Sequence, residues 1–190
     1  MLNPRKILVI RFSSLGDLVL TTPIFRELKR FYPDAEITLL TSSGLGSVLD
    51  NNPQIDHVIM HSRKETRMQL KFLIQNLRKE KYDLIYDAHR SLRSIWIVWN
   101  LSGFGILKKP EVWSINKRSW QRSLLIRLKL NLLKKTDPQR LHLLRPLQTH
   151  TNLELHNQTE LFPDKNSILR TQEFLKKHNL LHKQFVAIGP

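Results

Sequence analysis

The sequence contains no cysteine, which excludes disulfides and thiolate metal sites and is compatible with a reducing compartment. Long apolar runs are missing too. The densest, Ile95 to Trp99, falls far short of the roughly 18 residues that a membrane span needs. Glycine is sparse, six residues in 190, and only Gly16 stands in the first strand-to-helix turn. Acidic residues are outnumbered: 16 Asp and Glu face 31 Lys and Arg, a formal charge of +15. Such a surface attracts anionic partners: nucleic acid, an acidic membrane face or a phosphorylated small molecule.

What is present belongs to a globular chain. The apolar fraction is 41% and the charged fraction 25%, and 190 residues suffice for one substantial core. Met1 to Lys6 lead into a strand without the apolar core of a signal peptide, so a soluble, cytoplasmic protein is expected.

Short apolar runs alternate with amphipathic stretches. Lys6 to Phe12 (KILVIRF), Glu36 to Ser42 (EITLLTS), His57 to His61 and Asp83 to His89 (DLIYDAH) read as strands. They are rich in β-branched residues, too short for helices, and bounded by turn residues. Leu18 to Phe31, Thr66 to Lys79, Ser91 to Leu101 and Ile168 to Leu181 carry helical spacing. Pro23 either kinks the first of these or starts a second segment behind Thr22. Strand and helix in alternation predict an α/β fold, a Rossmann-like parallel sheet with helices on both faces. Thr149 to Ser167 is polar, as linkers are. Gln184 to Ile188 (QFVAI) reads as a last strand before Gly189 and Pro190. A buried parallel strand followed by glycine begins an α/β unit. The expected division is therefore residues 1–165 as one domain and 166–190 as the opening helix and strand of a second.

The first turn, Ser13-Ser14-Leu15-Gly16-Asp17, poses a choice for Asp17: helix cap, nucleotide-binding turn or catalytic base. The nucleotide readings fail. The turn has one glycine, the second strand ends in Leu40-Thr41-Ser42-Ser43 without an acid, and no Gly-Lys-Ser/Thr follows. Asp is a favoured helix cap, yet the carboxyl end of the first parallel strand is where open α/β sheets bind ligands. Capping and catalysis are compatible here. No His, Asp or Glu cluster has the spacing of a metal site.

Residues 7–41, ILVIRFSSLGDLVLTTPIFRELKRFYPDAEITLLT, resemble the N-terminus of glycosyltransferase family 9, the bacterial lipopolysaccharide heptosyltransferases. The Ser-Ser-x-Gly-Asp turn with its downstream Thr-x-Pro carries most of the likeness. Tyr82 to Ser94 (YDLIYDAHRSLRS), Trp113 to Leu125 (WSINKRSWQRSLL) and the final FVAIGP are similar to later landmarks of that family, in order. The resemblance implies a GT-B architecture of two Rossmann-like domains, with acceptor on the first and nucleotide sugar on the second. It implies inverting, metal-independent transfer of heptose from ADP-heptose to the anionic lipopolysaccharide core, with Asp17 as general base and no cofactor. Substrate contacts are expected from Ser13, Ser14, Gly16, His89, Arg90, Arg93 and Arg118. His89 and Arg90 stand where many relatives carry more neutral residues. The donor domain would follow Pro190, so this chain alone is expected to be inactive.

An inverting transfer needs a base to take the acceptor hydroxyl's proton, and arginine suits the carboxylates and phosphates of such an acceptor. Arg90 and Arg93 leave a strand of the same sheet as Asp17, so both are expected to face one crevice or else to sit solvated at a helix start. Arg11 could be a surface residue at the loop edge. Between Lys108 and Arg145, eleven Lys and Arg meet only Glu111 and Asp137. Within this stretch, residues 117–135 interleave Trp120, Leu124, Leu125, Leu128 and Leu132 with Arg118, Arg122, Arg127 and Lys129. That pattern fits a core helix with solvated charges or a segment resting on an acidic membrane, the inner membrane in the family's setting. Two other classes stay open: a basic nucleic-acid-binding α/β protein, and an inactive acceptor-binding fragment. No helix-turn-helix, zinc-finger or RNP pattern supports the former, so no nucleic-acid partner is expected.

Overall fold

The first strand, β1 (Lys6–Arg11), is buried along almost all its length, as its apolar run demands. It lies at the centre of the sheet in a computed structural model that describes residues 3–62, 64, 66–103, 109–116, 129, 138–151, 154–181, 183–184 and 186. Around it stand β2 (Glu36–Ser42), β3 (His57–His61), β4 (Leu84–Asp87) and β5 (Glu111–Ser114). The order is β3-β2-β1-β4-β5, and every pairing is parallel. Val9 pairs with Leu39 on one side and Tyr86 on the other. The chain leaves β1 in one direction and returns beyond it at β4, so a topological switch point falls between these two strands.

Because side chains alternate along a strand, β1 feeds two cores. Ile7 and Val9 pack with Leu18, Phe25 and Leu28 of the first helices and with Leu143 and Leu147. Leu8 and Ile10 pack on the other face with Ile74, Leu77, Ile97 and Leu101. Truncating a ring in such a core, as in Phe25→Ala, costs roughly 3–5 kcal/mol. The helices on the two faces are α1 (Leu15–Val19), α2 (Thr22–Phe31), α3 (Arg67–Glu80), α4 (Leu92–Ser102) and α5 (Gln139–Thr151).

Several boundaries differ from the pattern in the sequence. The expected helix over 18–31 is two helices. Pro23 sits in the first turn of α2, and the Thr22 hydroxyl donates to Val19 O at 2.9 Å. Strand β4 ends at Asp87 rather than His89, because the Asp87 carboxylate accepts from the N–H groups of His89 (3.0 Å) and Arg90 (2.7 Å) and starts a turn. Strand β5 and helix α5 both arise inside the cationic stretch. The polar segment after α5 is anchored: Arg30 donates to Glu154 O at 2.9 Å, Arg26 to His156 O at 2.8 Å, and Glu160 N to Thr22 Oγ1 at 3.0 Å. Beneath these contacts the buried Glu27 pairs with Arg30 at 2.9 Å.

A further helix, α6 (Lys165–Lys177), is capped by Asp164, which accepts from Ser167 N at 2.8 Å. It buries no residue, and Leu169 and Phe174 remain exposed. Of the expected strand at Gln184 to Ile188 only Gln184 and Val186 are among the described residues, and of the basic segment 117–135 only Lys129.

Candidate functional site

The carboxyl ends of β1, β2 and β3 open into a cleft of about 420 Å³, lined by Ser14, Leu15, Ser42, Ser43, Leu45, Ser62 and Lys64. Each strand contributes through the residues just past its end, as open parallel sheets do. The lining is rich in hydroxyls and, among the described residues, carries one cation, Lys64, whose backbone N–H donates to Ser62 Oγ at 3.2 Å. The Ser42 hydroxyl is buried and makes no hydrogen bond among the described residues. A buried hydroxyl left in this state gains by meeting a polar ligand.

Asp17 lies in the helix that Ser14 begins, two residues past Leu15 in the cleft wall. Its Oδ2 receives the Ser14 N–H at 3.2 Å, the backbone half of a capping arrangement. The same Oδ2 lies 2.6 Å from Arg11 Nη2. Arg11 is no surface residue. Its side chain is 5% exposed, against 36% for Asp17, and its Nη1 donates to Ala88 O just beyond β4. Arg11 therefore joins the ends of β1 and β4 at the switch point and aims the carboxylate. Both contacts use Oδ2, which leaves Oδ1 without a partner among the described residues.

The other residues singled out in the sequence are divided. Ser14 lines the cleft, Ser13 precedes it through a cis peptide bond, and Gly16 is exposed in the first turn of α1. Arg93 is tied to a cleft-lining residue: its Nη1 donates to Ser62 O at 3.4 Å. Arg90 turns elsewhere, donating to Ile115 O at 2.9 Å beyond β5, from a backbone with φ of 46°. His89 packs edge-on against Phe12, 5.4 Å between centroids. Arg118 lies outside the described residues. Sequence reasoning passed over Ser42, Ser43, Ser62 and Lys64. The signal was there, since TSS and HSRK span the carboxyl ends of two strands, where ligands are met.

Asp87 holds this arrangement from below. Besides the two backbone bonds, its Oδ2 accepts from Ser94 Oγ at 2.9 Å, wholly within the protein. Ser91 caps α4 by accepting from Ser94 N at 3.2 Å. The turn carrying His89, Arg90 and Arg93 is thus fixed by a buried carboxylate rather than left mobile at the surface.

Comparison with known proteins agrees with the parallel α/β fold. A Haemophilus influenzae protein named as a glycosyltransferase is 38% identical over 94 residues, 50% of this chain and 27% of that protein. Lipopolysaccharide heptosyltransferase 3 of Escherichia coli is 36% identical over 88 residues, 44% of this chain and 25% of the enzyme. A family 9 glycosyl transferase from Veillonella parvula superposes with a TM-score of 0.71 at 22% identity, covering 97% of this chain and 52% of that structure. No family model matches the sequence. The chain is homologous to the family 9 glycosyltransferases and lipopolysaccharide heptosyltransferases, and its parallel α/β sheet matches half of their GT-B structures. It spans about half the length of the solved relatives, and the matched stretches are about a quarter of the curated ones.

Proposed function

We infer that this chain is the acceptor-binding half of an inverting heptosyltransferase, acting with a donor-binding domain that begins near residue 166. The donor is ADP-heptose and the acceptor an anionic sugar of the lipopolysaccharide inner core. Homology to the Escherichia coli heptosyltransferase supports this substrate class, as does the fold shared with an Escherichia coli ADP-heptose heptosyltransferase.

The carrying observation is Asp17, in the helix whose first residues line the cleft, held through Oδ2 by a buried arginine with Oδ1 left over. In the proposed step the acceptor hydroxyl oxygen attacks the anomeric carbon while the bond from that carbon to the diphosphate oxygen breaks. ADP departs with the electron pair, and the hydroxyl proton passes to Asp17. General-base assistance of this kind is worth roughly 10²–10⁴-fold. Lys64, which lines the cleft, and Arg93, bonded to the cleft-lining Ser62, suit the acceptor's carboxylates and phosphates.

Helix α6, which buries nothing, fits the first element of the second domain. The test is transfer from ADP-heptose to a core-sugar acceptor, by this chain and by a version extended to the length of the relatives. The extended protein should transfer and the 190-residue chain should bind acceptor without turnover. Transfer by the 190 residues alone would sink the division of labour, and no transfer by either would sink the substrate assignment.

A further inference from the structure

The outer surface of the α3–α4 layer exposes large apolar side chains among its polar ones. Helix α4 buries Ser94, Ile97 and Leu101, yet Leu92, Ile95, Trp96 and Trp99 recur at three- and four-residue spacing on the opposite side. Leu92 is 88% exposed and Trp99 64%. Helix α3 repeats the pattern: Ile74 and Leu77 are buried, while Met68 and Phe72, one turn apart, are 79% and 65% exposed. Arg78 Nε and Nη2 both donate to Asn100 O, at 3.0 and 2.8 Å, so the helices lie side by side on one face of the sheet. A helix apolar all round normally has neighbours on both sides, and clustered exposed apolar residues mark interaction surfaces.

Charge identifies what covers this surface. Helix α3 carries Arg67, Lys71, Arg78 and Lys79 against one acid, Glu80, and that carboxylate is bonded to Lys6 at 2.8 Å. Helix α4 has Arg93 and no acid. A second copy of a chain with charge +15 would set cations against cations. An anionic bilayer instead satisfies both halves of the surface. Indole rings favour the headgroup level, and cations meet lipid phosphates there.

We propose that the outer face of α3 and α4 is a peripheral docking surface for an anionic phospholipid bilayer. Trp96, Trp99, Phe72 and Met68 enter the headgroup region, and Arg67, Lys71 and Lys79 pair with phosphates around them. This surface is distinct from the basic segment 117–135, and the proposal does not depend on the sugar-transfer reading.

The test is co-sedimentation of the chain with vesicles of phosphatidylcholine, alone or mixed with phosphatidylglycerol. Binding should require the anionic lipid and weaken with salt. Trp96→Ser with Trp99→Ser should lower partitioning about tenfold or more through lost apolar burial. Lys71→Gln and Lys79→Gln should each lower it roughly fivefold and flatten the salt dependence. All four side chains face outward, so melting should match the parent. No binding to anionic vesicles would overturn the proposal, as would unchanged binding by the double Trp variant. So would binding lost only on Arg118→Gln, Arg122→Gln and Arg127→Gln, or self-association, without vesicle binding, that the Trp changes abolish.

Discussion

Arg11 Nη2 lies 2.6 Å from Asp17 Oδ2, with the arginine buried and the aspartate about one-third exposed. This asymmetry changes how Asp17 can be probed. A helix cap alone can be replaced by Asn at little cost, but here the amide would leave a buried guanidinium without its counter-charge. Catalytic and structural roles of Asp17 therefore overlap in stability measurements and must be separated through its partner.

Asp17→Asn is expected to lose roughly 1–3 kcal/mol of stability from the broken charge-assisted bond, and about 10²–10⁴-fold in single-turnover transfer by the extended protein. Arg11→Lys breaks the same pairing geometry and the bond to Ala88 O, while leaving the carboxylate in place. It should lose comparable stability and less than about tenfold in turnover. Chemical denaturation and single-turnover rates, measured on both variants below their melting range, decide the matter. Equal turnover losses in the two would reduce Asp17 to a structural partner of Arg11.

Binding at the cleft should depend on Lys64 and Arg93 and not on Arg90. Lys64 lines the cleft and Arg93 reaches its wall at Ser62, whereas Arg90 is bonded beside the opposite edge strand, to Ile115 O. Lys64→Gln and Arg93→Gln are each expected to weaken an anionic core-sugar acceptor by roughly tenfold, the worth of one charge-assisted hydrogen bond. Titration calorimetry with Arg90→Gln as the comparison gives the answer. A larger loss at Arg90 than at Lys64 would move the acceptor toward β5.

The sequence made β2 and β3 legible to the residue, because their apolar runs end in turn residues on both sides. Strand β5 was hidden: EVWS offers two apolar residues inside a cationic stretch, and what makes it a strand is pairing with β4, as in Trp113 with Tyr86. The Ser-Ser-x-Gly-Asp turn announced a site at Asp17, but nothing local marked Arg11 as buried. Its partners, Asp17 and Ala88 O, meet it only once β1 and β4 lie together. Arg90 and Arg93 are three residues apart in one turn, yet the Asp87 hydrogen bonds send their guanidinium groups to opposite sides of the site. Spacing along a chain cannot reveal that divergence.

Acid should destabilise the fold partly through Asp56, which precedes β3. Burial pushes its carboxyl up, but the Ile37 N–H at 2.7 Å and the Lys29 ammonium at 2.8 Å outweigh burial and hold it below the usual range. A carboxyl lowered in the folded state contributes stability that is fully present above its unfolded pKa of ~3.9. That contribution is lost as pH falls through the lower, folded value. Asp56→Asn removes the charge at every pH, so at neutral pH it should melt roughly 2–4 °C below the parent. As pH falls from about 4 through the lower folded value, the parent protonates Asp56 and loses the same advantage, so the two melting curves should converge. Thermal melting of both proteins from neutral to acid pH measures this. A gap that stayed constant across the range would mean that Asn disturbs packing and that the ionised carboxylate contributes nothing to the fold.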